Sequence, residues 1–406
     1  MTSHHLFEAF GVEMEFMIVD DESLSVKPIC DRVIFDVAGD FCSEVEQGEL
    51  CWSNELARHV IELKTNGPAK ALSNLPTLFQ RHVVRLNELL RVHQACLMPT
   101  AMHPWMDPVR ELELWPHDYN PVYEAFNRIF DCRGHGWANL QSVHLNLPFA
   151  NDEEFGRLHA AIRLLLPLIP ALAASSPVVD GKPNGVLDNR VDAYCRNSAN
   201  VPSVAGKIIP EAVFTIADYH ERILQPMYRA IAPLDPEGIL QHEWLNARGA
   251  IARFERNTIE IRLVDTQECP AADLAVCQAI VAVAKTLVQE RWTSWQEQQS
   301  FAVDSLADIL VSSIRDADAT IIEDDSYLRQ FGWADGPIPA IRLWRHAIET
   351  ADQPEGNSIP LQQILKNGTL ARRILHALKD DTGRLPLVYR ALCRCLADGR
   401  MFGDDR

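Results

Sequence analysis

This chain contains no run of eighteen apolar residues; its most apolar stretch, Leu164 to Ala174, is short and interrupted by Pro167 and Pro170, so a membrane span is not expected. Met1 to Phe10 lack the basic region and apolar core of a leader, which argues against secretion and for a cytoplasmic location. The ten cysteines form no CxxC pair: Cys393 and Cys395 are separated by one residue, and Cys42 and Cys51 have no such companion. Reduced thiols without an assigned role are expected. Positive charge is also scarce. With 38 Lys and Arg against 56 Asp and Glu, the net charge of -18 opposes nucleic-acid binding, which needs a basic footprint. Internal repeats, low-complexity tracts and a regular βαβ alternation are missing too, which favours an antiparallel α+β layer.

What is present is an ordinary globular composition, 47% hydrophobic over 406 residues, enough for one large core or two domains. Strands are expected over residues 6–20, 58–64, 95–101 and 140–147, with a striped helix over 72–94 and a buried helix over 158–174 ended by its prolines. Residues 179–210, rich in Asn, Gly, Pro and Asp, read as long irregular structure, which is often functional. A hairpin follows, with strands over 250–255 and 258–264 turning at Arg256-Asn257. A long apolar helix then starts at Pro270 and runs to about 297, with Glu268 near its positive end. From about residue 305 the chain reads as mostly helical. The expected division is 1–300, a catalytic unit carrying the strands, and 301–406, a helical extension packing on it.

The strands carry the chemistry. In Gly11-Val12-Glu13-Met14-Glu15-Phe16 the alternation of a strand sends Glu13 and Glu15 to one side and Val12, Met14, Phe16 and Ile18 to the other. Two carboxylates on a half-buried surface call for a metal, a basic partner or a raised pKa. Taken alone, the motif is equally an amphipathic strand with a solvated acidic face. Three more strands repeat it, however. Glu62 opposes Ile61 and Leu63; Ser142, His144 and Asn146 oppose Val143, Leu145 and Leu147; Thr258, Glu260 and Arg262 oppose Ile259, Ile261 and Leu263.

In one curved antiparallel sheet, Glu13, Glu15, Glu62, His144 and Glu260 would converge on a concave face. Such a set of oxygens with one imidazole suits divalent cations of the Mg²⁺ or Mn²⁺ kind better than zinc. An acidic protein can approach ATP only through such cations. Arg253, Arg262 and Arg248 supply positive charge for phosphates or a substrate carboxylate. Against this stand a plain cross-strand ion pair for Arg262 with Glu260, and a hydrogen-bonded core position for His144.

These residues resemble the carboxylate-amine ligases, or glutamate-cysteine ligase family 2. Gly11-Val-Glu-Met-Glu-Phe is similar to that family's Gly-x-Glu-x-Glu signature, Glu62-Leu-Lys-Thr65 to its second acidic strand, and Thr100-Ala-Met-His103-Pro104 to its Gly-Thr-His-Pro segment. Ser142-Val-His144-Leu falls where His-Val-His-Val is usual. Thr258-Ile-Glu260-Ile-Arg262 matches Thr-x-Glu-x-Arg, and Arg248 the arginine before it. The likeness runs from about residue 8 to 290, and Gly368-Thr369-Leu370-Ala371 is similar to a segment near the family's C-terminus.

The resemblance implies a catalytic domain like those of glutamine synthetase and the guanidino kinases, a curved antiparallel sheet backed by helices with a helical C-terminal region. It also implies ATP-dependent joining of a small-molecule carboxylate, such as that of glutamate, to an amine through an acyl phosphate. Metal ions would sit on Glu13, Glu15, Glu62, His144 and Glu260. Arg262, Arg253 and Glu260 would act at the reacting groups, Arg248, Arg262 and Asn146 on the nucleotide, and Arg190, Arg196 and His103 on the substrate. Ser142 and residues 179–210 depart from the family pattern and bear on the substrate. A guanidino-type phosphotransferase, a metal-dependent amide hydrolase on the same face and a non-catalytic ligand-binding relative are the alternatives. Homo-oligomerisation is compatible with a chain of this kind.

Overall fold

The computed structural model describes residues 4–351 and 358–403. At its centre is an eight-stranded sheet. Its strands are β1 (Gly11–Asp20), β2 (Glu44–Gln47), β3 (Leu50–Asn54), β4 (Val60–Thr65), β5 (Ala95–Met98), β6 (Ser142–Pro148), β7 (Ala250–Arg253) and β8 (Thr258–Asp265). The spatial order is β2-β3-β4-β1-β6-β8-β7, with every pair antiparallel. The long β1 is shared on one flank: its first residues pair with β6 and its last with β5.

Alternation gives this sheet an apolar face on which Val12, Met14, Phe16, Ile61, Leu63, Val143, Leu145, Ile259 and Ile261 are fully buried. Helices α1 (Cys30–Ala38), α2 (Leu75–Val92), α3 (Asp152–Leu165) and α4 (Pro270–Val288) cover the sheet and one another. Asn151 starts α3 by accepting the Glu154 amide, one of the donors a helix N-terminus leaves unpaired. α4 is the one described helix long and apolar enough to cross a membrane, and 72% of that apolar window is buried within this fold. A helix apolar on all sides fits a position wedged between α2 and α3. It stops at Val288 rather than near 297, because Ser294 and Glu297 form a capping box that opens a separate helix, Trp295–Gln299.

The chain beyond Phe301 is mainly helical, with α5 (Val303–Asp316), α6 (Ala340–Thr350), α7 (Ile359–Asn367), α8 (Leu370–Leu378) and α9 (Leu385–Asp398). These helices join the core of the first 300 residues: Leu310, Trp344 and Leu361 belong to the same buried cluster as Phe16 and Leu145. Tyr327 Oη and Trp344 Nε1 donate to the carbonyls of Leu164 and Leu168, where prolines break up the end of α3. A second cluster seats Ile374, Tyr389 and Leu392 against Met17 and Met98 at the far end of β1.

Residues 30–54, for which the sequence pattern gives no element, hold α1 and the β2–β3 hairpin. Two local expectations need correction. Residues 179–210 are not irregular throughout, since Asp188 caps a short helix, Asn189–Tyr194. The β7–β8 turn spans four residues, 254–257, with Arg253 paired to Thr258, so Glu255 leaves the strand.

His59, His103 and His159 are sealed in this interior, and burial lowers them to about 3, 4 and 3. Unfolding returns each to about 6.5, so below that pH the unfolded chain binds more protons and stability falls as pH falls. At pH 5 each histidine is expected to cost about 2 kcal/mol, read as a drop in the urea midpoint between pH 7 and pH 5. An unchanged midpoint would contradict their burial as neutral rings.

Candidate active site

Strand register assembles the polar face. Glu13 lies opposite His144 on one side and Lys64 on the other, Glu15 opposite Glu62, Gly11 opposite Asn146, and Asn146 opposite Glu260. Side chains so paired stand within reach of one another on one face of the sheet. His144 Nδ1 is 3.1 Å from Glu13 Oε2 and 3.9 Å from Glu260 Oε1, and its Nε2 is 3.8 Å from Glu15 Oε1. Asn146 Nδ2 donates to Glu13 Oε1 at 3.2 Å. Ser142 is far from idle: its amide and hydroxyl both donate to Glu15 Oε2, at 2.8 and 3.2 Å. Across the sheet Ser53 Oγ donates to Glu62 Oε1 at 2.7 Å. Gly11 lets the strands pack closely here, because a Cβ there would stand 3.0 Å from the Asn146 Cβ.

Five carboxylates share the face, and their charges are balanced unevenly. Glu260 is held by Arg253 at 2.9 Å and Arg262 at 3.2 Å. Although burial works against it, the His144 hydrogen bond and charge hold Glu13 well below the usual carboxylate range. Burial also opposes the His144 proton, yet the bond to Glu13 and the charges of Glu15 and Glu260 lift that ring to about 9.

Glu15, Glu62 and Glu55 are less compensated, the nearest ammonium being Lys64 Nζ at 3.6 Å from Glu62. Burial, then Glu13 and Glu15, raise Glu62 to about 7. Burial, then Glu15 and Glu62, push Glu55 well above its ordinary value. Donor atoms of Glu13, Glu62 and His144 lie within 4.8 Å of one another, as do those of Glu15, Glu55 and Glu62. Buried oxygens that repel one another at this spacing fit divalent cations, with Glu62 common to both groups.

Glu55 is absent from the strand pattern. It sits in the β3–β4 loop, where alternation carries no information, and its one signal in the sequence is a second carboxylate seven residues before Glu62.

Two cavities open on opposite sides of this row. One, of about 530 Å³, is walled by Gly11, Glu13, Lys64, Gly67, Asn146 and Arg256. The other, of about 200 Å³, takes in Glu15, Glu55, His144, Arg190, Arg262 and a set of aromatic rings. The opening pair is thus split, with Glu13 facing one cavity and Glu15 the other.

Several residues expected here are engaged elsewhere. Arg248 lies off the polar face: its Nε and Nη2 bond Glu211 at 2.6 and 2.7 Å, its Nη1 reaches the carbonyls of Ser203 and Val204, and its guanidinium packs on Gly206. His103 is a core histidine whose Nε2 lies 2.7 Å from the Leu24 carbonyl. Arg196 is an exposed residue paired to Asp192 one helical turn earlier. These three do not line either cavity. Arg190 does reach the Glu15 side, while its Nε holds Asp265 at 2.6 Å. Arg253 serves as a clamp on Glu260.

The sequence model of glutamate-cysteine ligase family 2 matches residues 9–390. The chain belongs to this family. Relatives of this family 2 chain include an uncharacterized protein of Archaeoglobus fulgidus, 30% identical over 97% of this chain and 99% of that one. A Rubrobacter xylanophilus protein provisionally named glutamate–cysteine ligase 2-3 is 26% identical over 69% of this chain and 70% of its own length. Among solved structures, glutamate–cysteine ligase of Francisella tularensis in complex with AMP superimposes with a TM-score of 0.57 at 11% identity, covering 98% of this chain and 90% of that chain. The family 2 fold expected from the strand motifs, an antiparallel sheet backed by helices, is the one present.

Proposed function

We propose that this protein is an ATP-dependent ligase that activates a carboxylate as its acyl phosphate and transfers the acyl group to an amine. The observation carrying this reading is the split of the opening pair, with Glu13 facing one cavity, Glu15 the other, and a buried row of donors between. A phosphoryl donor on the first side and a carboxylate on the second would meet above that row. The Glu13 side suits a nucleotide: it is the larger cavity, Gly67 leaves the backbone open to a ligand, and Lys64 and Arg256 are cationic. The Francisella ligase, solved with AMP, supports the use of an adenine nucleotide.

Glu13, Glu62 and His144 would hold one divalent cation, and Glu15, Glu55 and Glu62 a second, with Mg²⁺ or Mn²⁺ suiting this oxygen-rich set. Bound there, such ions supply Lewis-acid neutralisation of phosphate oxygens. The remaining work falls to the chain. Arg262, beside Glu260, presents a guanidinium to the acid's carboxylate and to the charge that gathers as that group takes up the phosphoryl group. Arg253 positions Glu260, and Ser142 orients Glu15. The aromatic walls of the smaller cavity keep water from an acyl phosphate.

A screen of acids paired with amines, with ATP and Mg²⁺, tests this reading. A ligase forms ADP, phosphate and amide together, a guanidino-type kinase retains a phosphorylated product, and a hydrolase cleaves an amide without ATP. Chelation is expected to stop ADP release and Mg²⁺ to restore it. Undiminished turnover after chelation would remove the cation assignment.

A further inference from the structure

We infer that the acid activated at the Glu15 end is a monocarboxylic acid with an aromatic or branched apolar body, and that Tyr194 is a specificity-determining residue for it; this rests on the ligase reading above. Tyr123, Phe126, Trp137, Tyr194 and Trp244 line that cavity, and Phe126 packs on Trp137 and Trp244 with ring centroids 5.1 and 5.7 Å apart. Such walls bury a flat or branched apolar group and give a second carboxylate nothing to bind.

Charge in the cavity is largely committed. Arg190 gives Nε to Asp265 at 2.6 Å and Nη2 to the Arg262 carbonyl at 3.1 Å. Glu15 and Glu55 belong to the donor row. Arg262 lies beside Glu260 through Nε, at 3.2 Å and without hydrogen-bond geometry, which leaves the end of its fork for a ligand.

Tyr194 supplies the second polar group. The residue is 9% exposed and lines the cavity, and its hydroxyl is buried without a hydrogen-bond partner. A hydroxyl so placed costs stability until a ligand satisfies it. One fork and one hydroxyl serve one carboxylate. Glutamate would bring a second carboxylate against Trp and Phe rings, with Arg190 already bonded through Nε and Nη2.

In the reaction a carboxylate oxygen bonds to the γ-phosphorus of ATP as its bond to the bridging oxygen breaks and ADP leaves. Hydroxylamine, a small surrogate amine, then bonds through nitrogen to the acyl carbon. The C–O bond breaks, phosphate departs, and the nitrogen loses a proton to solvent.

The test is hydroxamate formation by the full chain with ATP, Mg²⁺, hydroxylamine and either 3-phenylpropionate, 4-methylpentanoate or glutamate. The expected kcat/KM for at least one apolar acid exceeds that for glutamate by about tenfold or more, and Tyr194→Phe raises the KM for that acid while the KM for ATP stays unchanged. Turnover of glutamate equal to or better than that of both apolar acids overturns the inference and leaves the ligase reading intact, and an unchanged acid KM in Tyr194→Phe overturns the role of that residue. Hydroxamate from none of the acids removes the ligase reading. The acid preference is then decided by tryptophan fluorescence, since Trp137 and Trp244 line the cavity. Binding of an apolar acid about tenfold tighter than glutamate, weakened in Tyr194→Phe, upholds the preference, and equal binding overturns it.

Discussion

Glu62→Gln is expected to cut ADP release by on the order of 10³-fold while leaving the unfolding temperature unchanged or higher. The two halves of this result have one cause. Glu62 is the carboxylate common to both donor groups, Glu13–Glu62–His144 and Glu15–Glu55–Glu62. An amide keeps the side chain's size and its contact with Ser53 but removes the charge that would draw a cation to either group. The same charge is a burden to the folded chain, since burial and the neighbouring glutamates raise Glu62 to about 7. Removing it relieves that repulsion. Coupled ADP-release kinetics and a thermal melt on one preparation read both halves. Loss of activity together with a large fall in unfolding temperature would mark Glu62 as a structural group, and retained ADP release would remove it from the site.

Arg373→Met should destabilise the fold by about 3–5 kcal/mol, measured as a fall in the urea midpoint. Arg373 reaches from α8 to Glu268, just before α4, with Nη2 3.2 Å from Glu268 Oε2, and its Nη1 donates to the Phe402 carbonyl at 3.0 Å. Glu268 is fully buried, and the Phe402 amide donates to it at 3.3 Å. The substitution leaves that carboxylate without its cation inside the protein, which costs far more than the pair contributes over an apolar replacement. Glu268→Gln added to Arg373→Met should recover most of the loss, and a double variant as unstable as the single would show that packing, not charge, dominates.

The arginines show where sequence reasoning succeeds and where it stops. Arg262 and Arg253 share a hairpin with Glu260, so a local pattern suffices to bring the three together. Arg248 stands only five residues before Arg253, yet it precedes β7 and turns to Glu211, a residue of a loop that no periodicity places. His103 looks like a ligand in its motif and is a core ring. Glu55 runs the other way: unremarkable in sequence, it is brought to Glu15 and Glu62 by a loop.

The alternation of β1, β4, β6 and β8 by itself determines which side chains form the polar face and that the opposite face is a core, because a strand's period of two is local and insensitive to what surrounds it. Whether those faces align, which carboxylates end within 4.8 Å of one another, and that Glu13 and Glu15 serve different cavities were decided by register and by loops. Those depend on pairings between residues more than a hundred positions apart, such as Glu13 with His144, whose geometry exists only once the sheet has closed.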